Sequence, residues 1–228
     1  MVPPPSNVGY APAVTLSCRV YRDGHLEDER LDAAHIPDLL AQPHTMVWVD
    51  AEATPGSMAA LQRAFGFHEL AIEDCLQPHQ RPKVEQYEGY FFLVAYALTV
   101  TEGTVGEREL ACFVSDRYLV TVRKDAEMDL RQAVQRWELH PERMCEGAGY
   151  PLYVILDEIV DGYFVALDAL EDRSERIEEV VLGNEEGGGA TDSRMEIFQM
   201  RRELFRARRA TAPLRMSWTR CSAERCRW

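Results

Sequence analysis

The sequence predicts an α/β fold, a mixed sheet between helical layers, followed by a long antiparallel helical hairpin. Strand-like and helix-like segments intermix through roughly the first 145 residues without a clean βαβα repeat, which suggests a mixed sheet flanked by helices. From Tyr150 to Leu182 apolar residues recur at three- and four-residue steps, with Pro151 at the start and Gly162 as the only breakers. A second helical pattern follows a glycine-rich break, and two long helices with a short connection form an antiparallel hairpin. The expected division is an α/β/α domain over 1–148, a helical hairpin packed on it over 149–212, and an atypical tail over 213–228.

The elements follow in chain order. Val14 to Tyr21 reads as a strand, closed by the turn signal Asp23-Gly24. Met46 to Val49 is a short apolar run ending at Asp50, the pattern of a buried strand. Thr54-Pro55 opens a helix, with an N-cap at Thr54 and proline in the first turn. Met58, Leu61 and Phe65 give its apolar face, and Gly66 stops it. His68 to Leu76 reads as a second short helix closed by Pro78. Lys83 to Thr99 is aromatic and β-branched, and is expected as one strand. Glu109 to Val114 and Tyr118 to Arg123 form a strand pair across Ser115-Asp116-Arg117, and Ala126 to Leu139 is expected to be helical. Leu152, Leu156, Ile159, Tyr163, Leu167, Leu170, Ile177 and Val181 mark the apolar stripe of the first long helix. Gly183-Asn184 ends it, Glu185 to Ala190 is expected to be a flexible loop, and Thr191-Asp192-Ser193 to cap a helix running to about Ala212. Pro213 is expected to break or kink that helix.

Composition narrows the function classes. The 228 residues carry 38 acidic and 25 basic side chains, a net charge of -13. Residues 191–228 hold 10 of the basic and 4 of the acidic ones, a net of +6, so the body before them stands at -19. Such a body repels phosphates, which argues against nucleic acid and anionic lipid as partners. The apolar run Phe91 to Leu98 is eight residues, nine with Tyr90, against roughly 20 for a membrane-spanning helix. Met1 to Tyr10 lacks the charged and apolar regions of a signal peptide. Cys18, Cys75, Cys112 and Cys145 are scattered singly, and Cys221 and Cys226 have no second pair beside them, so a reducing compartment and no zinc ribbon are expected. No phosphate-binding glycine loop, nucleophile elbow or H-E-x-x-H motif is present, so no enzyme is expected.

Two acidic elements carry the chemistry that is readable. Asp157, Asp161, Asp168, Asp172, Glu175 and Glu179 are spaced to share one helix face beside the apolar stripe. Like charges at these steps destabilise a helix by a few tenths of a kcal/mol per pair, so a counter-charge gains there. A hard divalent cation with oxygen ligands supplies one; the alternative is a solvated face partly paired to Arg173, Arg176 or the basic second helix. Glu73-Asp74 lies near the end of a short helix, where acids oppose the macrodipole unless a cation meets them. His79 and Arg81 are near in sequence and offer a structural answer.

Phe65 to Asp74, then His79 to Tyr90 (HQRPKVEQYEGY), then Leu152 to Phe164 (LYVILDEIVDGYF), together with Trp48-Val49-Asp50 and Leu119 to Val122, resemble in this order the CorA family of magnesium and cobalt transporters. The zinc-transporting ZntB branch shares the architecture and is the nearest rival. The resemblance implies a cytosolic α/β/α domain and long helices assembled as a homopentamer, with a membrane pore guarded by a Gly-Met-Asn signature. It implies that interface acids sense Mg²⁺, with Co²⁺ or Zn²⁺ as alternatives, held weakly and largely through water. Glu73 and Asp74 match the family's E-D pair at a sensor site, Asp157 matches an acid on the first long helix, and Asp161 falls one turn on.

The expected function is thus the cytosolic regulatory domain of a divalent-cation channel. As written, the chain has no pore and is not expected to conduct. Its full-length form is expected at the cytoplasmic face of the inner membrane, attached through a C-terminal region this sequence lacks, and the chain alone is expected to be soluble. The expected partner is a second copy, with neither nucleic acid nor a small-molecule substrate. A stand-alone binding or scaffold module of the same fold is the alternative. From Met216 the resemblance stops, and the tail is expected to be truncated or read out of frame.

Overall fold

The computed structural model describes the backbone of residues 16–29, 33–183 and 190–223 and the side chains of 16–29, 34–182 and 194–211. Seven strands form one sheet: β1 (Leu16–Arg22), β2 (His25–Asp28), β3 (Thr45–Glu52), β4 (Lys83–Tyr87), β5 (Tyr90–Thr101), β6 (Thr104–Val114) and β7 (Tyr118–Arg123). Their order is β2-β1-β3-β7-β6-β5-β4. Every junction is antiparallel except the central one, where β3 pairs parallel to β7 with Val49 opposite Val120. The mixed sheet expected from the sequence is therefore present.

Alternation along the strands assigns the helices to faces. Tyr21, Trp48 and Thr121 point to one side. There Trp48 meets Trp137 of α4 (Arg131–Glu138) edge to face, with centroids 5.0 Å apart. Tyr90, Phe113 and Tyr118 point to the other side. They receive Phe67, which stacks on Phe113 at 3.9 Å and joins α2 (Pro55–Phe65) to α3 (Glu69–Leu76). The short helices α1 (Ile36–Leu40) and α5 (Pro141–Met144) fill the ends. Helix α6 (Gly149–Gly183) lies across β5 and α4, and α7 (Ala190–Ala223) doubles back along α6 and onto β5 and β6. Close approach of α6 to the sheet requires Gly162, where a Cβ would stand 3.2 Å from the Leu98 carbonyl oxygen. One buried core runs from Cys18 to Ala210. No helix among the described residues is long and apolar enough to cross a membrane.

Local signals explain most elements. Thr54 caps α2 by accepting from the Ser57 N–H at 3.1 Å, and Gly66 ends it at φ 71°. His68 caps α3 through Nδ1, which accepts from the Leu70 N–H at 3.2 Å.

Three expectations need correction, and one strand was missed. Lys83 to Thr99 is two strands, because Glu88-Gly89 turns the chain and Gly89 sits at φ 82°. Helix starts at Arg131 and not Ala126, since Asp125 and Asp129 accept from the N–H groups of Glu127 and Arg131, local bonds that compete with a helix over residues 126–130. Strand β2 has every residue exposed, so it carries no apolar alternation to read. Helix α7 does not end near Ala212; it passes Pro213 and continues to Ala223. Proline removes one N–H from a ladder, here the donor to residue 209, and the helix continues past that loss. Val14, Thr15, the expected loop from 185 to 189 and residues 224–228 lie outside the described residues.

Candidate metal centre

Helix α3 carries both acids of the first element. Glu73 is exposed, and its Oε1 accepts from Gln77 Nε2 at 2.6 Å, one turn on. Asp74 is half-buried, and Lys83 Nζ donates to its Oδ2 at 2.7 Å. Lys83 also donates to Glu85 Oε1 at 2.8 Å. Burial disfavours the Lys83 ammonium, yet the hydrogen bonds to Asp74 and Glu85 outweigh it and raise the pKa above its ordinary value.

The counter-charges of this helix are lysines, not His79 and Arg81 as the sequence neighbourhood suggests. Lys124, just past β7, donates to the Asp74 carbonyl oxygen at 3.0 Å and to the Gln77 carbonyl oxygen. A cation on the last carbonyls offsets the macrodipole that the acids oppose. Its ammonium also pairs with buried Glu109 Oε1 at 2.6 Å. Glu109 Oε2 accepts from the Tyr96 hydroxyl at 2.8 Å.

The second element lies on α6. Arg136 of α4 donates to Asp157 Oδ2 at 2.7 Å and stands 3.9 Å from Glu158 Oε1. The Asp157 hydrogen bond holds the Arg136 guanidinium above its ordinary pKa, and Glu158 and Asp161 reinforce it. Burial raises the Glu158 pKa, Arg136 opposes that, and Asp157 and Asp161 add to it. Asp161 is exposed. Three carboxylates thus face one guanidinium, which leaves the cluster net negative.

The remaining stripe is solvated. Asp168, Asp172, Glu175 and Glu179 are exposed, and none of the four joins an ion pair among the described residues. Arg173, expected as a partner for the stripe, points away and pairs with Glu203 and Glu196 of α7. No three His, Cys, Asp or Glu residues are gathered as a metal cage among the described residues, so Glu73, Asp74, Asp157 and Asp161 do not converge within one chain. Sequence reasoning missed Lys83 and Arg136, the cations that meet these acids, and Lys124, which holds the end of the α3 helix. Only Lys83 had a signal, its place within the H-Q-R-P-K-V-E string.

A family model described as CorA-like Mg²⁺ transporter protein matches residues 43–226, which extends the likeness past Met216, where the sequence reading had ended it. The putative metal ion transporter YfjQ of Bacillus subtilis is 34% identical over 169 residues, covering 74% of this chain and 51% of YfjQ. The cobalt/magnesium transport protein CorA of Thermotoga maritima is 31% identical over 154 residues, 66% of this chain and 43% of CorA. The chain therefore spans about half the length of these curated relatives. Among solved structures, full-length CmaX superposes with a TM-score of 0.73 at 17% identity, covering 98% of this chain and 67% of CmaX. The soluble domain of CorA from Methanocaldococcus jannaschii gives 0.62 at 20%, covering 85% and 73%. The ZntB cytoplasmic domain from Vibrio parahaemolyticus gives 0.57 at 12%, covering 92% and 83%. These three likenesses are of fold.

Proposed function

This chain belongs to the CorA-like family of Mg²⁺ transporters, and from that premise we propose that it is the cytosolic regulatory portion of a Mg²⁺/Co²⁺ channel. The observation that carries the reading is the family match over residues 43–226, which includes both acidic elements. On this reading Glu73, Asp74, Asp157 and Asp161 serve sites shared between neighbouring copies. Carboxylates from adjacent copies repel; hydrated Mg²⁺ between them reverses the sign of that interaction and favours the closed assembly. The α/β/α layer of residues 1–148 presents the first pair, and the hairpin of residues 149–212 presents the second. A homopentamer at the cytoplasmic face of the membrane is the assembly proposed for the whole protein. The all-oxygen donor set favours Mg²⁺ over Zn²⁺, which takes nitrogen and sulfur ligands where it can.

Thermal melting of the chain in millimolar MgCl₂ tests this. An ion that binds only the native state adds about 2.7 kcal/mol at a hundredfold excess over its Kd. The Glu73→Ala/Asp74→Ala/Asp157→Ala variant is expected to lose the rise in Tm. An unchanged response in that variant means that these acids are not the sensor, and a larger response to ZnCl₂ than to MgCl₂ favours the ZntB-type alternative.

A further inference from the structure

The network behind the Glu73-Asp74 helix reaches α7, and no part of it is needed to bind an ion. Lys124 holds the last carbonyls of α3 and pairs with Glu109, whose side chain is 6% exposed. The ammonium donates to two carbonyl oxygens, and Glu109 Oε1, 2.6 Å away, pairs with it by charge. The Tyr96 hydroxyl lies 2.8 Å from Glu109 Oε2 and 2.5 Å from the Gln80 carbonyl oxygen, so its single proton serves both. Arg209 of α7 closes the chain of contacts. Its guanidinium stands 5.6 Å from the centroid of the Tyr96 ring. Its Nη2 donates to the His79 carbonyl oxygen at 3.0 Å and reaches the Gln80 carbonyl and Tyr96 hydroxyl oxygens at 3.4 Å. His79 holds a left-handed φ of 62°, a costly conformation for a residue other than glycine that persists when its surroundings fix it.

We propose that Lys124, Glu109, Tyr96 and Arg209 form a relay coupling the end of α3, which bears Glu73 and Asp74, to helix α7. These are positioning residues; none is a ligand. The Glu109–Tyr96 centre of this network is buried and has few tolerable arrangements, because an unpaired member there carries a desolvation cost, and exposed Arg209 meets it from α7. A shift of the α3 C-terminus therefore moves the Lys124 ammonium, and with it Glu109, Tyr96 and the seat of Arg209. The relay deepens the sensor reading above and rests on it only for the nature of the signal.

Hydrogen exchange followed by mass spectrometry on the full 228-residue chain tests the coupling. Without metal, Arg209→Met is expected to speed exchange of the Cys75, Leu76 and Gln77 amides about tenfold, although the substitution lies on another element. Lys124→Met is expected to do the same to the amides of 205–209. Tyr96→Phe, which removes one hydroxyl and keeps the ring, is expected to raise exchange at both ends, and it decides the matter should Lys124→Met fail to fold. Acceleration confined to each variant's own element overturns the proposal. With MgCl₂ present, the wild type is expected to gain protection on α3 and on α7, and Tyr96→Phe on α3 alone; equal gains on α7 in both chains also overturn it. A wild type that ignores Mg²⁺ removes the sensor reading, while the metal-free comparison still judges the relay.

Discussion

Arg173 of α6 and Glu203 of α7 face each other across the helical hairpin, with Nη1 2.9 Å and 2.8 Å from the two carboxylate oxygens and both side chains under a tenth exposed. Glu203 Oε2 also accepts from the Val105 N–H at 3.2 Å, so one carboxylate ties both long helices to the β5–β6 hairpin. Breaking a buried pair from one side leaves an uncompensated charge. Arg173→Met or Glu203→Leu alone is expected to cost about 3–5 kcal/mol in urea unfolding. The double variant is expected to recover most of that loss, with roughly 1–3 kcal/mol still missing for the orphaned Val105 N–H.

On the opposite half of the sheet, Trp137 is fully buried and its Nε1 donates to the Tyr21 hydroxyl at 3.0 Å. That hydroxyl donates to Glu138 Oε1 at 2.8 Å, where Arg19 Nη1 also arrives at 2.7 Å. Trp137→Ala is expected to cost about 3–5 kcal/mol through the cavity it leaves, and Tyr21→Phe about 1–3 kcal/mol through the unmet indole N–H. Calorimetry measures both, and near-ultraviolet circular dichroism is expected to report the lost Trp48–Trp137 contact in the first variant alone.

Arg136 competes with any cation for Asp157. Arg136→Ala is expected to strengthen the Mg²⁺-induced rise in Tm by roughly threefold to tenfold in apparent affinity, since one positive charge at hydrogen-bond distance is removed. A titration of Tm against MgCl₂ shows it; a weaker response places Asp157 outside the sensing set.

Burial raises the Cys18 thiol to about 11 and the Cys75 thiol to about 12, from an ordinary 9.0. The folded pKa lies above the unfolded one, so the native state keeps its thiol protons where the unfolded chain loses them. Their contribution is whole below pH 9.0 and declines as pH rises through the folded values. Stability is expected to fall through this window, less steeply in Cys75→Ala. At neutral pH exposed Cys145 is expected to take up a thiol reagent well before buried Cys18, Cys75 and Cys112, as peptide mapping would show.

The Asp23-Gly24 turn packs against α5. A Cβ on Gly24 would stand 1.9 Å from the Pro141 carbonyl oxygen, at a φ of 80°. Gly24→Ala is expected to cost at least about 2 kcal/mol. Gly89→Ala, at φ 82° with open space around it, is expected to cost about 1–2 kcal/mol from backbone conformation alone. Urea midpoints of the two variants separate contact from conformation.

Much of this was legible because local signals agreed with the fold. Thr54-Pro55, Gly66 and the apolar stripe of α6 each mark an element on their own. Glu88-Gly89 was hidden because aromatic and β-branched residues flank it on both sides and outweigh a single glycine. Pro213 misled because a single missing N–H does not end a helix that already runs through it from Ala190 to Ala223. The acids of the candidate centre were visible as a pattern, but their partners were not. Lys124 reaches the Asp74 carbonyl oxygen from 50 residues away and Arg136 reaches the Asp157 carboxylate from 21, separations that no helical or strand period relates.

The single parallel junction has a kinetic consequence. β2, β1 and β3 pair with near neighbours, as do β4 through β7, so each set closes through short turns or modest loops. The β3–β7 seam alone joins the two sets, and Asp50 meets Thr121 across 71 residues of chain. Its loop-closure entropy falls due in one late step, after the local hairpins have formed. Refolding is therefore expected to be limited by the meeting of two preformed half-sheets, with Val49 and Val120 reporting the barrier.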